Sequence, residues 1–157
     1  MVEMPVLVQD PPVRLLSQFY ALYPQHTPEH ILQVPGREMW VMAVTHASRE
    51  YCLQVPDLGK RTRFTWRSAR QQQTCLRRPL PCWARYPAGV VVMLREAGLE
   101  VPGADMMIVG DEVPGPRYNY ALGVALAALW HSIHSLPYNE PRLLDVVEKV
   151  HRDFVGN

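Results

Sequence analysis

Apolar side chains recur at helical spacing near both ends of the chain. Residues 11–23 carry one apolar stripe between Pro12 and Pro24, which predicts a short helix: Leu15, Leu16, Phe19, Leu22 and Tyr23. Residues 83–97 predict a helix closed by Gly98, in which Pro87 is tolerable only near the start. A last helix is expected after Asn139 as N-cap, with Pro141 early in it and one apolar face: Leu143, Leu144, Val147, Val150 and Phe154.

The stretches between these helices are short and apolar or alternating, which is typical of β-strands. Strands are predicted over five runs, at residues 31–34, 39–45, 51–55, 61–66 and 104–110, with a turn at 35–37. Residues 68–81 are polar and bounded by proline, so we interpret them as a loop. The order α, several β, α, β, α, α favours an α+β or mixed α/β protein. We predict an α+β fold, a mixed sheet with helices packed on one face.

Length and composition indicate one globular domain over residues 1–157. Apolar residues make up 48% of the chain and charged residues 20%, which is ordinary for a folded soluble protein. The formal net charge is +1, so no global field attracts nucleic acid or an acidic membrane, and neither partner is expected. The short basic runs at 59–63 and 77–78 are typical of solvated turns.

The termini and the cysteines predict a cytoplasmic location. Residues 1–12 lack a basic segment followed by an apolar core, so no signal peptide is predicted. The longest apolar stretch, 121–130, is too short to span a bilayer. Cys52, Cys75 and Cys82 are odd in number and irregularly spaced, which favours three reduced thiols.

Residues 110–130 combine the end of a strand, a loop rich in Gly and Pro, and a long apolar helix that ends near Ser135. A loop in this position is where many proteins hold a phosphate at a helix N-terminus. Gly115, Arg117 and Asn119 are the candidate contacts to an anion. Pro116 removes one N–H donor, and the rings of Tyr118 and Tyr120 are expected where a phosphate needs space. The alternative is a tight strand-to-helix turn in which Asn119 is only the helix cap.

Four stretches, in order, resemble the N-terminal half of galactokinases, members of the GHMP small-molecule kinases. They are VPGR at 34–37; WARYPAGV at 83–90, followed by REAGL and GAD; GDEVPG at 110–115; and HRDFVG at 151–156. The resemblance runs from about Phe19 to Asn157. It implies the fold of the GHMP N-terminal domain, which is similar to ribosomal protein S5 domain 2.

The resemblance also implies ATP, Mg²⁺ and galactose or a related sugar as ligands. Arg37 matches the family's arginine near the transferring phosphoryl group, where a fixed cation stabilises developing charge. Thr45 and His46 echo the family's sugar-binding cluster, whose acidic residues are otherwise absent here. The family's phosphate loop, G-x-G-L-S-S-S-A, is represented by GPRYNYA at 115–121, which is shorter and retains one glycine and no serine.

These departures predict a truncated or non-catalytic galactokinase-like protein that is inactive alone. The family's catalytic aspartate follows the helix ending F-V-G, and this sequence ends at Asn157 before that position. Two alternatives stay open: a working small-molecule kinase completed by a second chain, or a binding module unrelated to kinases. The second would use the basic strand 60–67 with Phe64 and Trp66. Self-association, or a second protein covering the face of the missing domain, is expected.

No metal site is predicted from side chains alone. His131 and His134 lie three apart on a helix, but no acid or cysteine nearby in sequence completes a ligand set. Asp111 and Glu112 precede the loop and are typical of a solvated turn.

Overall fold

A computed structural model describes residues 13–25, 29–110, 113 and 115–155 of the chain. Its centre is a five-stranded mixed sheet. The strand order is β1-β2-β5-β3-β4, with β3 and β5 parallel and every other neighbouring pair antiparallel. The predicted strands are confirmed to within one residue at either end: β1 His30–Gln33, β2 Met39–His46, β3 Glu50–Val55, β4 Lys60–Thr65 and β5 Gly103–Gly110.

Five α-helices accompany the sheet in the described part of the chain. They are α1 Val13–Leu22, α2 Trp66–Arg70, α3 Arg85–Glu96, α4 Pro116–Ile133 and α5 Glu140–Val150. Short helical turns lie at Pro56–Leu58, Cys82–Ala84 and His151–Val155. The predicted cap of the last helix is confirmed, because the Asn139 side chain accepts a hydrogen bond from the backbone N–H of Arg142 at 3.0 Å. Residues 11 and 12, where the first helix is predicted to begin, lie outside the described residues.

Side chains alternate between the two faces of each strand, and in the central strands β2 and β5 most residues on both faces are buried and apolar. On one face Met39, Val41 and Ala43 of β2 pack in the main core with helices α2 to α5. On the other face Met42 of β2 packs beneath Phe19 of α1 in a second core. The predicted fold class, a mixed α+β sheet with helices on one face, is confirmed, and α1 is an addition on the opposite face.

The predicted loop at 68–81 is wrong at its beginning, where α2 forms. Thr65 ends β4 and caps the helix: its hydroxyl accepts from the Ser68 backbone N–H at 3.0 Å, and the Ser68 hydroxyl accepts from the Thr65 N–H at 2.9 Å. This reciprocal capping box satisfies two backbone donors and stabilises a helix too short to show an apolar stripe.

Cys52 and Cys75 are half-buried free thiols, and Cys82 is an exposed one. Among the described residues, no helix combines the length and the hydropathy needed to cross a membrane.

Candidate functional site

Strand register brings Arg37 beside the start of α4. The β1–β2 turn is closed by the Arg37 backbone N–H, which donates to the Val34 carbonyl at 3.1 Å. Two residues later Met39 pairs with Gly110, the last residue of β5. The β1–β2 turn and the β5–α4 loop therefore share one end of the sheet, although they are distant in sequence.

The two predicted cationic residues, Arg37 and Arg117, line one cavity of about 480 Å³ together with Val113 and Tyr120. We call it the Arg37–Arg117 cavity. Arg37 is half-buried and Arg117 is exposed. Guanidinium groups stay charged at all physiological pH values and present several N–H donors, so this cavity favours anions.

Gly115 is the N-cap of α4, and its backbone is one that only glycine adopts readily. Its φ of +149° and ψ of −168° lie in a region closed to residues with a Cβ. Pro116 occupies the first helical position, where a missing N–H costs little because first-turn donors have no intrahelical acceptor. The interpretation of Asn119 as the helix cap is wrong: its backbone N–H already donates to the Gly115 carbonyl at 3.0 Å, inside the helix.

The two tyrosines of this turn differ in where they lie. Tyr118 is fully buried in the main core, so the prediction that its ring obstructs the phosphate position is wrong. Tyr120 does line the cavity, and its hydroxyl donates to Oε2 of Glu148 at 3.1 Å. Desolvation, followed by that hydrogen bond and the Glu148 charge, raises the pKa of Tyr120 to about 12, and the Arg37 charge opposes the shift.

Gly36 gives the β1–β2 turn its close approach to α5. Its φ is +74°, and the carboxylate of Glu140 occupies the space where a Cβ would lie. Glu140 is the first residue of α5. The helix α5 thus supports the turn that carries Arg37.

Comparison with solved structures shows which proteins share this fold. Lactococcus lactis galactokinase complexed with galactose matches 78% of this chain with a TM-score of 0.59 at 18% identity. Methanococcus jannaschii mevalonate kinase matches 71% with a TM-score of 0.53 at 10% identity, and a further mevalonate kinase matches 71% with a TM-score of 0.51 at 11% identity. The fold is that of the GHMP kinases.

The likeness to the GHMP kinases is one of fold alone. The chain spans 31% of the galactokinase and 36% and 37% of the two mevalonate kinases, about a third of each. No family model matches the sequence, and no curated protein matches it.

The residues of the Arg37–Arg117 cavity fit the phosphates of a nucleotide better than they fit a metal. Arg37 and Arg117 supply positive charge, and the first turn of α4 supplies backbone donors. A magnesium ion needs oxygen ligands, and the described residues contain no cluster of three or more His, Cys, Asp or Glu that could hold one. Asp111 and Glu112 lie outside the described residues.

The predicted sugar-binding pair lies at the opposite end of β2. Thr45 and His46 pair with Ala104 and Gly103, so about 24 Å of strand separates His46 from Met39. Both the Thr45 N–H and its hydroxyl donate to Glu29 at 2.9 Å, and His46 Nε2 lies 3.5 Å from Asp105. The structure does not bring these two residues together with Arg37, and their role in binding stays a prediction.

His131 is buried and makes hydrogen bonds within the chain. Its Nδ1 lies 2.7 Å from the Ala127 carbonyl, and its Nε2 accepts from Arg142 Nε at 3.3 Å. Both ring nitrogens are therefore engaged within the chain.

The two aromatic residues assigned to the alternative binding module, Phe64 and Trp66, already have partners within the chain. Phe64 is fully buried and stacks on Tyr51 with ring centroids 5.4 Å apart, so it cannot stack on a base. The guanidinium groups of Arg70 and Arg95 already lie over the Trp66 ring.

Sequence reasoning missed Val113, Glu140 and Glu148 as parts of this site. Glu140 carries one available signal, since it follows the predicted cap Asn139 and acids favour the first turn of a helix. Glu148 approaches Tyr120 only because α4 and α5 pack together, and no local pattern encodes that contact.

Proposed function

We propose that this chain binds the phosphates of a nucleotide in the Arg37–Arg117 cavity and does not by itself transfer a phosphoryl group. It would then be a non-catalytic relative of sugar kinases, with ATP as the ligand class. The observation that carries the proposal is that Arg37 and Arg117, from two separate elements, line one cavity at the start of α4.

The local chemistry supports binding more than catalysis. Phosphoryl transfer depends on fixed cations, a metal ion and a residue that orients the nucleophile. The segment GPRYNYA at 115–121 offers arginine and backbone donors, but no serine or threonine hydroxyl for a metal. Tyr120 is held by Glu148, and burial keeps its hydroxyl protonated, so it is not available as a base at neutral pH.

Calorimetric titration with Mg·ATP tests the binding. We expect saturable heat, and an affinity at least about tenfold weaker in Arg37→Gln and in Arg117→Gln, because a charge-assisted hydrogen bond contributes about 1.5–3 kcal/mol. Arg78→Gln is the matched control, since Arg78 is exposed in the segment after α2 and does not line the cavity. A folded chain that gives no heat, or that binds ATP equally well in both cavity variants, contradicts the proposal.

A second measurement tests catalysis by following ADP release from Mg·ATP in the presence of galactose. We expect no ADP release from Mg·ATP with galactose present. ADP release that disappears in Arg37→Gln would refute the non-catalytic part of the proposal.

A working kinase completed by a second chain is the other candidate function. It is favoured by one observation, that the chain spans about a third of each kinase it resembles. Sedimentation velocity tests the required association: a concentration-dependent dimer with turnover supports this candidate, and a monomer without turnover excludes it.

A further inference from the structure

A second basic cavity lies at the other end of the sheet from Arg37. It measures about 230 Å³ and is lined by Arg49, Thr65, Trp66, Arg67 and Arg95. We call it the Trp66 cavity. Its arginines come from three places: the turn between β2 and β3, the first residues of α2, and the end of α3.

Trp66 and Arg95 are held in place by their neighbours. The capping box between Thr65 and Ser68 fixes the start of α2, where Trp66 is the first residue. The guanidinium carbons of Arg70 and Arg95 lie over the Trp66 ring at 4.9 and 5.0 Å from its centroid. Cation–π contact restrains these long side chains, so Arg95 is ordered at the cavity wall before any ligand arrives.

The nearby carboxylates are already paired with other arginines. Glu50 binds Arg63 at 3.1 Å, and Glu96 binds Arg70 at 3.5 Å. Among the residues that the structure describes, no carboxylate lies within salt-bridge distance of Arg49, Arg67 or Arg95. A chain of net charge +1 thus gathers three uncompensated guanidinium groups at one small cavity.

The Trp66 indole provides a spectroscopic probe beside these arginines. Its Nε1 is buried and has no acceptor in the described part of the chain. Because that nitrogen has no exposed surface, it does not contact a ligand in the cavity directly, and it reports on the ring that the arginines surround.

We infer that the Trp66 cavity binds a phosphate group of a small molecule. One carboxylate has two oxygens and one charge, and a single arginine can satisfy it. A phosphate carries close to two charges on three terminal oxygens, and therefore uses several guanidinium groups at once. This inference does not depend on the proposed function, because the two cavities share no residue.

The indole N–H resonance of Trp66 provides the test, in proton–nitrogen correlation spectra of the whole chain. The other three tryptophans are buried and do not line this cavity. The Trp66 peak is identified as the one that disappears in Trp66→Phe. We expect inorganic pyrophosphate to shift this peak in a saturable manner. Half-saturation should need about tenfold more pyrophosphate in Arg67→Gln and in Arg95→Gln.

Matched controls separate this cavity from the other site and from simple screening. Arg78→Gln and Arg37→Gln should leave the Trp66 titration unchanged, while Arg37→Gln weakens ATP binding. Sodium chloride at equal ionic strength and sodium acetate should not produce the shift. Because Arg67 is exposed, Arg67→Gln keeps the test valid even if Arg95→Gln unfolds the chain. An unshifted Trp66 peak, a shift that Arg67→Gln leaves unchanged, or an equal shift with acetate overturns the inference.

Discussion

Replacing Gly115 by alanine tests whether the start of α4 depends on a backbone conformation that only glycine tolerates. Apart from its chain neighbours, no atom of the described residues lies within 4 Å of the position that a Cβ would take at Gly115. The cost of the substitution therefore comes from the backbone alone, at φ +149° and ψ −168°. A residue with a Cβ held in such a region costs about 1–3 kcal/mol.

That cost is large against the stability of an ordinary domain, about 5–15 kcal/mol. For a chain of this size each kcal/mol lowers the melting temperature by about 2–4 °C. We expect the urea midpoint of Gly115→Ala to fall accordingly, with an unchanged slope, because the variant changes no buried surface. Relaxation of the strain would move Arg117, so ATP affinity should fall as well.

Gly59→Ala is the matched control for this experiment. Gly59 has φ +62° and ψ 30° and does not line the Arg37–Arg117 cavity. Among the residues that the structure describes, only its chain neighbours lie within 4 Å of where its Cβ would be. Alanine in this left-handed conformation costs about 1–2 kcal/mol. Both variants should lose stability, and only Gly115→Ala should lose ATP affinity. A Gly115→Ala variant as stable as the wild type, or equal ATP binding in the two variants, refutes the reasoning.

Two further perturbations test the packing of α5. A Cβ at Gly89 would lie 2.5 Å from Val150 Cγ1 and 2.7 Å from Phe154, so Gly89→Ala should cost about 1–3 kcal/mol in urea denaturation. The cost should shrink in a Val150→Ala background, and equal costs in both backgrounds would contradict the clash. The Tyr120 phenol should titrate near pH 12 in the absorbance difference between wild type and Tyr120→Phe, and Glu148→Gln should lower that pKa toward 10. Because the folded-state pKa is raised, the stability from the neutral phenol is complete below pH 10 and is lost as the pH rises to about 12. Titration of Tyr120 near pH 10 in the wild type would contradict this environment.

The strands were predictable because each is either apolar along its length or alternates between apolar and polar residues. Residues 39–44 are continuously apolar, since β2 is covered by α1 on one side and by the other helices on the opposite side. The short helix α2 was not predictable from apolar periodicity, because a five-residue helix has too few turns to show it.

The two arginines that line the Arg37–Arg117 cavity were predicted from the sequence, but their approach to each other was not. Arg37 and Arg117 each follow a recognisable turn, but only the pairing of Met39 with Gly110 brings those turns to one end of the sheet. The same register places Thr45 and His46 at the other end of the sheet, although they are fewer than ten residues from Arg37 in sequence. Asparagine and glycine both begin helices, so the choice of Gly115 over Asn119 depended on a positive φ that the sequence does not specify.

The insertion of β5 between β2 and β3 has a consequence for how the chain is made. The β1–β2 and β3–β4 hairpins are complete once residue 65 has been synthesised, and each can close locally. They become one sheet only when residues 103–110 arrive and pair with β2 on one side and β3 on the other. Pairing between strands that are so far apart in sequence is slow, and until it occurs the edges of β2 and β3 that will pair with β5 stay open. During translation the two hairpins therefore remain unpaired with each other. The five-stranded sheet can form only after β5 has been synthesised, because β5 is the strand that pairs with both β2 and β3.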